Sequence, residues 1–466
     1  MTRKIKIYFT YTDTTSSNPY KLWLSNHLLT YLGIQLNEKL WLRFGSERIL
    51  VTCNTKLDES YFTLSVPKEI QKNHHLPVPD RYHTLTYIPL LKELRIGPII
   101  AVLADKTGEI NCPFGKITAF SKEIASLCND HLATFYLFSL QDVHSNWIHG
   151  YTIKEDKLTQ TIFPYPDIIY NRISSRTSER SEACVRFFEH CQDFGIPYFN
   201  DHFISKWDVF HILVERDALA AYLPETHKKI DEETLMKLMT KHVSLFLKPD
   251  HGSEGRGIIR ITKETEGKFK LESSKEIDPP LPSLSTKGVL NFINQFVPME
   301  NYIIQQGIPL MTHSNGNVDF RILCNRNEKG DWRITSSIAR VSDANPIVTN
   351  MSYGAKSYPL TELLSGSFET AKAKAIKGLL YELSFEVAES LHLFADGIFG
   401  EFGIDFGIDK NGHPWILEVN SKPSKHYTTA LKRGEIRPSA LGVFLFAHYL
   451  YTHGLSNEFR KEYDHA

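Results

Sequence analysis

The chain has 466 residues with 53 basic and 54 acidic side chains, a balance that leaves no global field to hold nucleic acid or an anionic membrane surface. Aromatic residues make up 12% of it, which fits a chain folded throughout into roughly two to four domains and argues against long disorder. No run of about eighteen apolar residues occurs, so no membrane insertion is expected, and six scattered cysteines without a Cys-x-x-Cys pair point to buried thiols in a reducing, cytoplasmic interior.

In chain order, residues 1–92 read as a β-rich domain of short strands between polar turns. Trp41-Leu42-Arg43-Phe44, Arg48-Ile49-Leu50-Val51-Thr52 and Tyr61-Phe62-Thr63-Leu64-Ser65-Val66 are its clearest members. Ile96-Gly97-Pro98-Ile99-Ile100-Ala101-Val102-Leu103 reads as one buried strand. With further strands at 133–138 and 167–170 and a helix over 182–194, it predicts an α/β layer over 93–204.

From residue 205 the pattern changes to a helix with Ser205 as its N-cap. Lys206 then sits at the end of that helix where a cation is disfavoured, which hints at use, although a solvated lysine also satisfies the pattern. Leu245-Phe246-Leu247-Lys248-Pro249 is an apolar strand ending in lysine. The loop containing Gly252, Ser253, Gly255 and Gly257 leads from it into Ile258-Ile259-Arg260-Ile261, so it joins strand to strand. A Walker A loop or a dinucleotide fingerprint must open a helix, which excludes both. Such a loop can still fold over a triphosphate, offering backbone N–H groups with no Cβ in the way beside the point charge of Lys248, or it is an ordinary hairpin.

A Pro- and Ser-rich stretch at 277–287 reads as a surface loop, followed by a helix at 289–296. The strand Tyr302-Ile303-Ile304-Gln305 runs into Gln306-Gly307-Ile308, a segment able to present backbone groups to an adenine edge. Strands at 320–323 and 332–335 follow, with Asp319 and Arg321 on one face and Arg340 and Asn350 flanking a glycine-bearing segment. Singly, each reads as a surface ion pair or a turn. A long helix at 368–392 precedes the final hairpin.

That hairpin is the most informative stretch. Asn411-Gly412 fits a two-residue type I′ turn, which pairs Lys410 with His413. Outward from there come Ile408 with Trp415, Phe406 with Leu417, Asp405 with Glu418, Ile404 with Val419 and Gly403 with Asn420. Asp405, Glu418 and Asn420 then share one face, and Gly403 leaves room beside them. Facing carboxylates repel unless a cation lies between them, and oxygen-only ligands suit Mg²⁺ or Mn²⁺; a solvated charged hairpin face is the alternative. Beyond it, Lys422 and Lys425 read either as exposed lysines or as holders of an acceptor carboxylate or an anionic polymer.

The order of these features, lysine, lysine with glycine loop, hinge strand, Asp-x-Arg, arginine, asparagine, then Asp and Glu-x-Asn, resembles the ATP-grasp superfamily from Lys206 to Pro423. The whole chain resembles the YheC/YheD family of endospore-forming bacteria through Arg95-Ile96-Gly97-Pro98-Ile99, Phe246-Leu247-Lys248-Pro249, Asp319-Phe320-Arg321 and Leu417-Glu418-Val419-Asn420-Ser421. The resemblance implies an α+β and α/β multidomain chain with an ATP-grasp fold. Its nucleotide would lie between a central subdomain at 205–304 and a C-terminal one at 305–466, preceded by a pre-ATP-grasp domain at 93–204.

It also implies roles. Lys206 and Lys248, with Gly252, Ser253, Gly255 and Gly257, would meet the phosphates, while Gln305, Gln306 and Ile308 line the adenine. Asp319 would sit near the ribose, Asn350 with the nucleotide set, and Arg321 and Arg340 near the transferred phosphate or the acceptor. Asp405, Glu418 and Asn420 would hold one or two Mg²⁺. Where the usual hinge carries a glutamate beside the adenine, Gln305-Gln306 stands here. The activity implied is ATP- and Mg-dependent carboxylate–amine ligation through an acyl phosphate, on an amino-acid or peptide substrate linked to the spore coat or envelope. A nucleotide-binding coat protein without turnover and an ATP-grasp kinase are the alternatives.

Overall fold

The computed structural model describes the chain except residues 1–2, 13–19, 57–61, 110–111, 229–230, 253–254, 266, 275–281, 343–355, 426–434 and 464–466, and only the backbone over 455–463. Two compact units divide it. One comprises Met1–Phe199, Asn327–Gly330 and Arg433–Ala466; the other comprises Asn200–Arg326 and Asp331–Lys432. No helix among the described residues is long and apolar enough to cross a membrane.

In the first unit, strands β1 (Arg3–Thr12), β2 (Lys21–Ser25), β3 (Lys39–Phe44), β4 (Glu47–Lys56), β5 (Thr63–Pro67), β6 (Arg81–Ile88) and β7 (Glu93–Ile96) close a barrel in the order β1-β5-β2-β4-β3-β7-β6. The two-residue alternation does this directly. In β3, Leu40, Leu42 and Phe44 point inward and Lys39, Trp41 and Arg43 outward. The expectation of one strand over Ile96 to Leu103 is wrong: β7 ends at Ile96 in the barrel, and β8 (Ile99–Ala104) opens a second sheet. Pro98 has no N–H to donate, and Gly97 at φ +149° lets the chain turn out of the barrel.

The second sheet runs β11 (Lys157–Phe163), β10 (Ile148–Lys154), β9 (Thr134–Phe138), β8, β12 (Ile168–Arg172) and β13 (Tyr198–Phe199), parallel from β9 to β13. A helix over Pro438–Tyr463, absent from the sequence reading, adds Ala440, Val443, Phe444 and Ala447 to the core formed by Phe120, Ile124, Phe135 and Tyr170. All six cysteines are free, and burial pushes the Cys53, Cys191 and Cys324 thiols up to about 12.

The second unit holds two more sheets. The third is β14 (Thr226–His227), β19 (Tyr302–Gln306), β15 (Ser244–Pro249), β16 (Ile259–Thr265), β17 (Lys268–Ser273) and β18 (Leu284–Ser285). Helices Glu232–Lys241 and Thr286–Phe296 cover it through Leu235, Leu238, Val289 and Ile293. The stretch expected as a loop at 277–287 is not all loop: beyond residue 281, Leu284–Ser285 forms β18, and Ser285 caps the next helix at Gly288 N (3.2 Å). The glycine loop joins antiparallel β15 and β16, as expected.

The fourth sheet orders β23 (Lys356–Pro359), β22 (Trp332–Val341), β21 (Gly316–Arg326), β24 (Glu401–Ile408) and β25 (Pro414–Asn420), all antiparallel, with β20 (Thr312–His313) beside β21. One face buries Val318, Phe320, Ile322, Ile404 and Phe406 against helices Lys206–Val214, Leu360–Ser367 and Thr370–Phe394. The period of two turns Asp319, Arg321 and Asp405 to the other face.

The final hairpin departs from its expected register and returns to it. Its turn is a three-residue loop, with Gly412 N donating to Asp409 O (3.0 Å), Asp409 N to His413 O (3.0 Å), and Gly412 at φ +86°. The Asp409 carboxylate accepts from Asn411 N (2.9 Å) and His413 N (3.0 Å) and so selects this turn over the two-residue one. Hence Ile408 faces Pro414 and Phe406 faces Ile416, not Trp415 and Leu417. A bulge at Leu417 then absorbs one residue and restores Asp405 to Glu418, Ile404 to Val419 and Gly403 to Asn420. A Cβ on Gly412 would lie 2.8 Å from Lys372 Cε, in a backbone region that favours glycine. Gly412→Ala is therefore expected to destabilise the chain by about 1–2 kcal/mol, read as a lowered urea midpoint.

Candidate active site

Four strands bring the charges of the fourth sheet together. Arg340 on β22 pairs with Asp319 on β21, Arg321 on β21 pairs with Asp405 on β24, and Asp405 pairs with Glu418 on β25. Arg340 grips Asp319 with both nitrogens, Nε to Oδ1 (2.5 Å) and Nη2 to Oδ2 (2.8 Å), and Nη2 also reaches Asp405 Oδ1 (2.8 Å). Arg321 holds both Asp405 oxygens, with Nη2 at 2.6 Å from Oδ2. Asp319, Arg340 and Asp405 are buried and Arg321 half-buried, so these are forked pairs rather than the surface bridges expected of each residue singly.

Burial alone would raise the Asp405 carboxyl, but Arg321 and Arg340 outweigh it and hold it below the usual carboxylate range. Burial likewise opposes the Arg340 charge, and Asp405 and Asp319 more than restore it. The repulsion between Asp405 and Glu418 that seemed to ask for a metal is thus already relieved by side chains: Asp405 faces two guanidinium groups, and Glu418 Oε1 accepts from Lys206 Nζ at 3.0 Å. The room expected beside Gly403 is also taken, since a Cβ there would lie 2.7 Å from Pro423 Cβ and 3.2 Å from Arg321 Nη1.

The donor set still fits a hard divalent cation. Among the described residues no group of three or more His, Cys, Asp or Glu could hold a metal. A cation here would therefore draw on Glu418, whose side chain is 32% exposed, the Asn420 amide oxygen and oxygens of a ligand, with Asp405 joining only by giving up a bond to Arg321, Arg340 or Asn420. Asn420 Nδ2 turns to Asp405 Oδ2 (3.4 Å), which leaves its oxygen to accept a cation. Few protein ligands, all oxygen, completed by ligand oxygens is the habit of Mg²⁺.

Lys206 opens its helix as expected, with Ser205 Oγ accepting from Asp208 N (3.0 Å). Asp250, which the sequence reading passed over, fixes this helix start. Its backbone oxygen accepts from Lys206 N (3.1 Å) and its buried carboxylate from Trp207 N (2.9 Å). An acid directly after the Lys248-Pro249 strand end was the signal, because a carboxylate complements a helix N-terminus. Lys206 Nζ also donates to Gly252 O (2.7 Å). Gly252 N turns back to Pro249 O (3.1 Å), which bends the chain sharply at the end of β15, and Gly255 and Gly257 sit at φ +72° and +73°. Ser253 and Asn350 lie outside the described residues.

Burial, with Lys206 nearby, lowers the Lys248 ammonium to about 8, and Glu418 and Asp405 only partly offset this. Its Nζ donates to Gln305 Oε1 (2.6 Å), and Gln305 is buried. Gln306 spends its amide oxygen on Glu225 N (3.2 Å), while Gly307 N donates to Ser244 O (2.8 Å) and Ile308 is half-buried. The hinge amides therefore brace the sheet.

Lys422 and Lys425 are not exposed lysines. Both are buried; Lys422 Nζ lies 4.7 Å from the centre of the Phe203 ring, and Lys425 pairs with Glu401, itself fully buried and bonded to Asn200 (3.1 Å) and Asn325 (3.3 Å). Lys425 neutralises a buried acid.

Residues 195–450, more than half of the chain, match the family described as YheC/D like ATP-grasp. The chain belongs to this family. Its fold is therefore ATP-grasp, with the glycine loop and the charged sheet both inside the matched segment. Curated relatives are the endospore coat-associated proteins YheD and YheC of Bacillus subtilis (strain 168). YheD is 28% identical over 341 residues, 71% of this chain and 74% of its own. YheC is 24% identical over 316 residues, 66% of this chain and 85% of its own. Among solved structures, the VanG D-Ala:D-Ser ligase from Enterococcus faecalis is similar with a TM-score of 0.45 at 13% identity, covering 76% of this chain and 99% of that one.

Asp405→Ala strands Arg321 and Arg340 with one carboxylate, Asp319, between them. We expect a loss of about 3–5 kcal/mol of stability, measured by urea denaturation, against a much smaller change for the solvated pair Glu182–Arg186.

Proposed function

We propose that this site binds MgATP and uses it to join a carboxylate to an amine. The observation that carries the reading is the double contact of Lys206, whose Nζ touches the glycine loop at Gly252 O and the carboxylate of Glu418 at once. Phosphates resting on Lys206 would reach loop N–H groups on one side and the Glu418–Asn420 strand on the other. Lys206, Lys248, Gly252, Ser253, Gly255 and Gly257 would then hold the phosphates. Gln306 and Ile308 would border the adenine through their backbone, and Asp319 and Asn350 would complete the nucleotide set.

In the reaction proposed, a substrate carboxylate oxygen attacks the γ-phosphorus, the bond to the β-phosphate oxygen breaks and ADP leaves. The amine then attacks the acyl carbon, inorganic phosphate departs and the amine gives up a proton. Negative charge shifts between phosphoryl oxygens throughout, so positioned cations and N–H donors supply most of the stabilisation. Arg321 and Arg340 are pre-oriented for this by Asp405 and Asp319. A divalent ion on Asp405, Glu418 and Asn420 would neutralise phosphate charge when bound. No protein nucleophile is required.

The curated relatives are named as coat-associated, which supports an amino-acid or peptide substrate of the coat or envelope and leaves a coat protein that binds nucleotide without turnover as the second reading. The deciding experiment supplies ATP, Mg²⁺, amino acids and coat or envelope peptides and seeks a condensed product by mass spectrometry. ADP release only when amine and carboxylate are both present supports ligation. Release with a polyol indicates a kinase, and tight MgATP binding without turnover on any panel favours the coat reading.

Glu418→Ala should abolish Mg-dependent ADP release with an unchanged melting profile; full activity in this variant would remove the metal site from the account. The Lys248 charge gives a further expectation. Phosphate binds the ammonium form, and that form is lost from the free protein above about pH 8. Affinity for MgATP should therefore fall as pH rises past 8, by up to about tenfold per unit. Lys248→Arg, which stays charged, should abolish that slope in a calorimetric titration.

A further inference from the structure

We propose that Thr226 is a positioning residue for Lys248: acting through Gln305, it fixes a neutral amide oxygen against the ammonium, which holds the lysine in place while leaving its charge for an anionic ligand. The proposal rests on the reading of Lys248 as a phosphate-binding group and adds a residue to it that no part of the sequence pattern marks.

The argument follows the hydrogens. Thr226 Oγ1 donates to Pro224 O at 2.8 Å, and a hydroxyl has one hydrogen to give. Toward Gln305 it can therefore only accept, and Gln305 Nε2 lies 3.0 Å away. That fixes the amide with Oε1 on its other side, where Lys248 Nζ donates at 2.6 Å. An ammonium has no lone pair, so it demands the same orientation from the opposite end. Both termini of the relay agree, and a flipped amide would set donor against donor at Lys248 and acceptor against acceptor at Thr226.

Backbone pairing keeps the three residues adjacent. Thr226 faces Gln305 across β14 and β19, and Lys248 is the diagonal neighbour of Gln305 across β15 and β19, where Phe246 is directly opposite. Thr226 and Gln305 are both buried, so water does not compete for their groups. The choice of an amide matters because the other site cations are paired with acids. Lys206 touches Glu418, Arg340 touches Asp319 and Asp405, and Arg321 touches Asp405. Lys248 is instead held by a neutral oxygen, while Lys206 repels it and Glu418 and Asp405 act on it through space. A glutamate at position 305 would form an ion pair and spend the charge within the protein.

The test compares Thr226→Val, Thr226→Ser and Gln305→Glu with the parent chain. Lys248 is first followed without nucleotide, by the pH dependence of its acetylation with acetic anhydride, resolved by peptide mass spectrometry. The parent midpoint is expected at about 8. Gln305→Glu should raise it by about one unit or more, as a carboxylate in contact does. Thr226→Val should raise the Lys248 acetylation rate at least about threefold above pH 8, by releasing the amide that holds the amine, and weaken MgATP binding by about three- to tenfold. Thr226→Ser should restore both. A merely structural threonine would lower the melting temperature of Thr226→Val and leave Lys248 labelling unchanged. That result, or an unmoved midpoint in Gln305→Glu, overturns the relay. Because labelling needs no nucleotide, a parent chain that labels as expected but fails to bind MgATP overturns the nucleotide reading and leaves the relay standing.

Discussion

Everything in the second unit's charged face depends on one arrangement, the Asp405 carboxylate seated between two guanidinium groups. Three antiparallel strands must hold their register for Arg321, Arg340 and Asp405 to meet, and the apolar pairs on the opposite face set that register. Hydrophobic alternation and charge placement are thus one constraint, since a one-residue slip would bury the charges and expose Phe320, Ile322 and Phe406 together. The ion cluster carries a desolvation cost that a purely structural sheet would avoid by apolar packing. That cost is consistent with the phosphate-binding role proposed for this face.

Around that cluster the unit arranges its cations by degrees of neutralisation. Arg321 and Arg340 are bound to acids and rigid, Lys206 is shared between Glu418 and a loop carbonyl, and Lys248 is tied to an amide. In the function proposed, paired guanidinium groups suit a fixed geometry at the reacting centre, whereas a lysine held by a neutral oxygen keeps its charge for the phosphates. Asp250 couples the two lysine-bearing elements, because it directly follows the strand of Lys248 and accepts from Lys206 N and Trp207 N at the start of the helix of Lys206. The position of either lysine is thereby set partly by the other.

Much of this was legible in the sequence. Alternation gave the strands, Ser205 gave the helix start, and the facing of Asp405 and Glu418 emerged from the right end point of a turn read wrongly. The turn was misread because the Asn-Gly preference is a local rule, and the Asp409 side chain two residues earlier overrides it with its own hydrogen bonds. The break at Gly97-Pro98 was written in the residue types and masked by the surrounding apolar run. What the sequence hid were partners distant along the chain: Lys425 with Glu401, Thr226 with Gln305, and the C-terminal helix with Phe120 and Tyr170. No local pattern encodes such pairs, because each half is unremarkable alone.

The three-residue turn and the bulge at Leu417 also bear on how this hairpin can change. Between Asp405 and Glu418 the chain carries one surplus residue in the bulge, and the turn determines where that surplus must be taken up. A one-residue shift of the pairing at the turn is absorbed by removing or doubling the bulge, with the carboxylates still opposed. The same shift without that compensation would rotate Glu418 and Asn420 into the apolar layer. The segment is thus a vernier: its two ends are locked to the sheet, and turn and bulge can change only together.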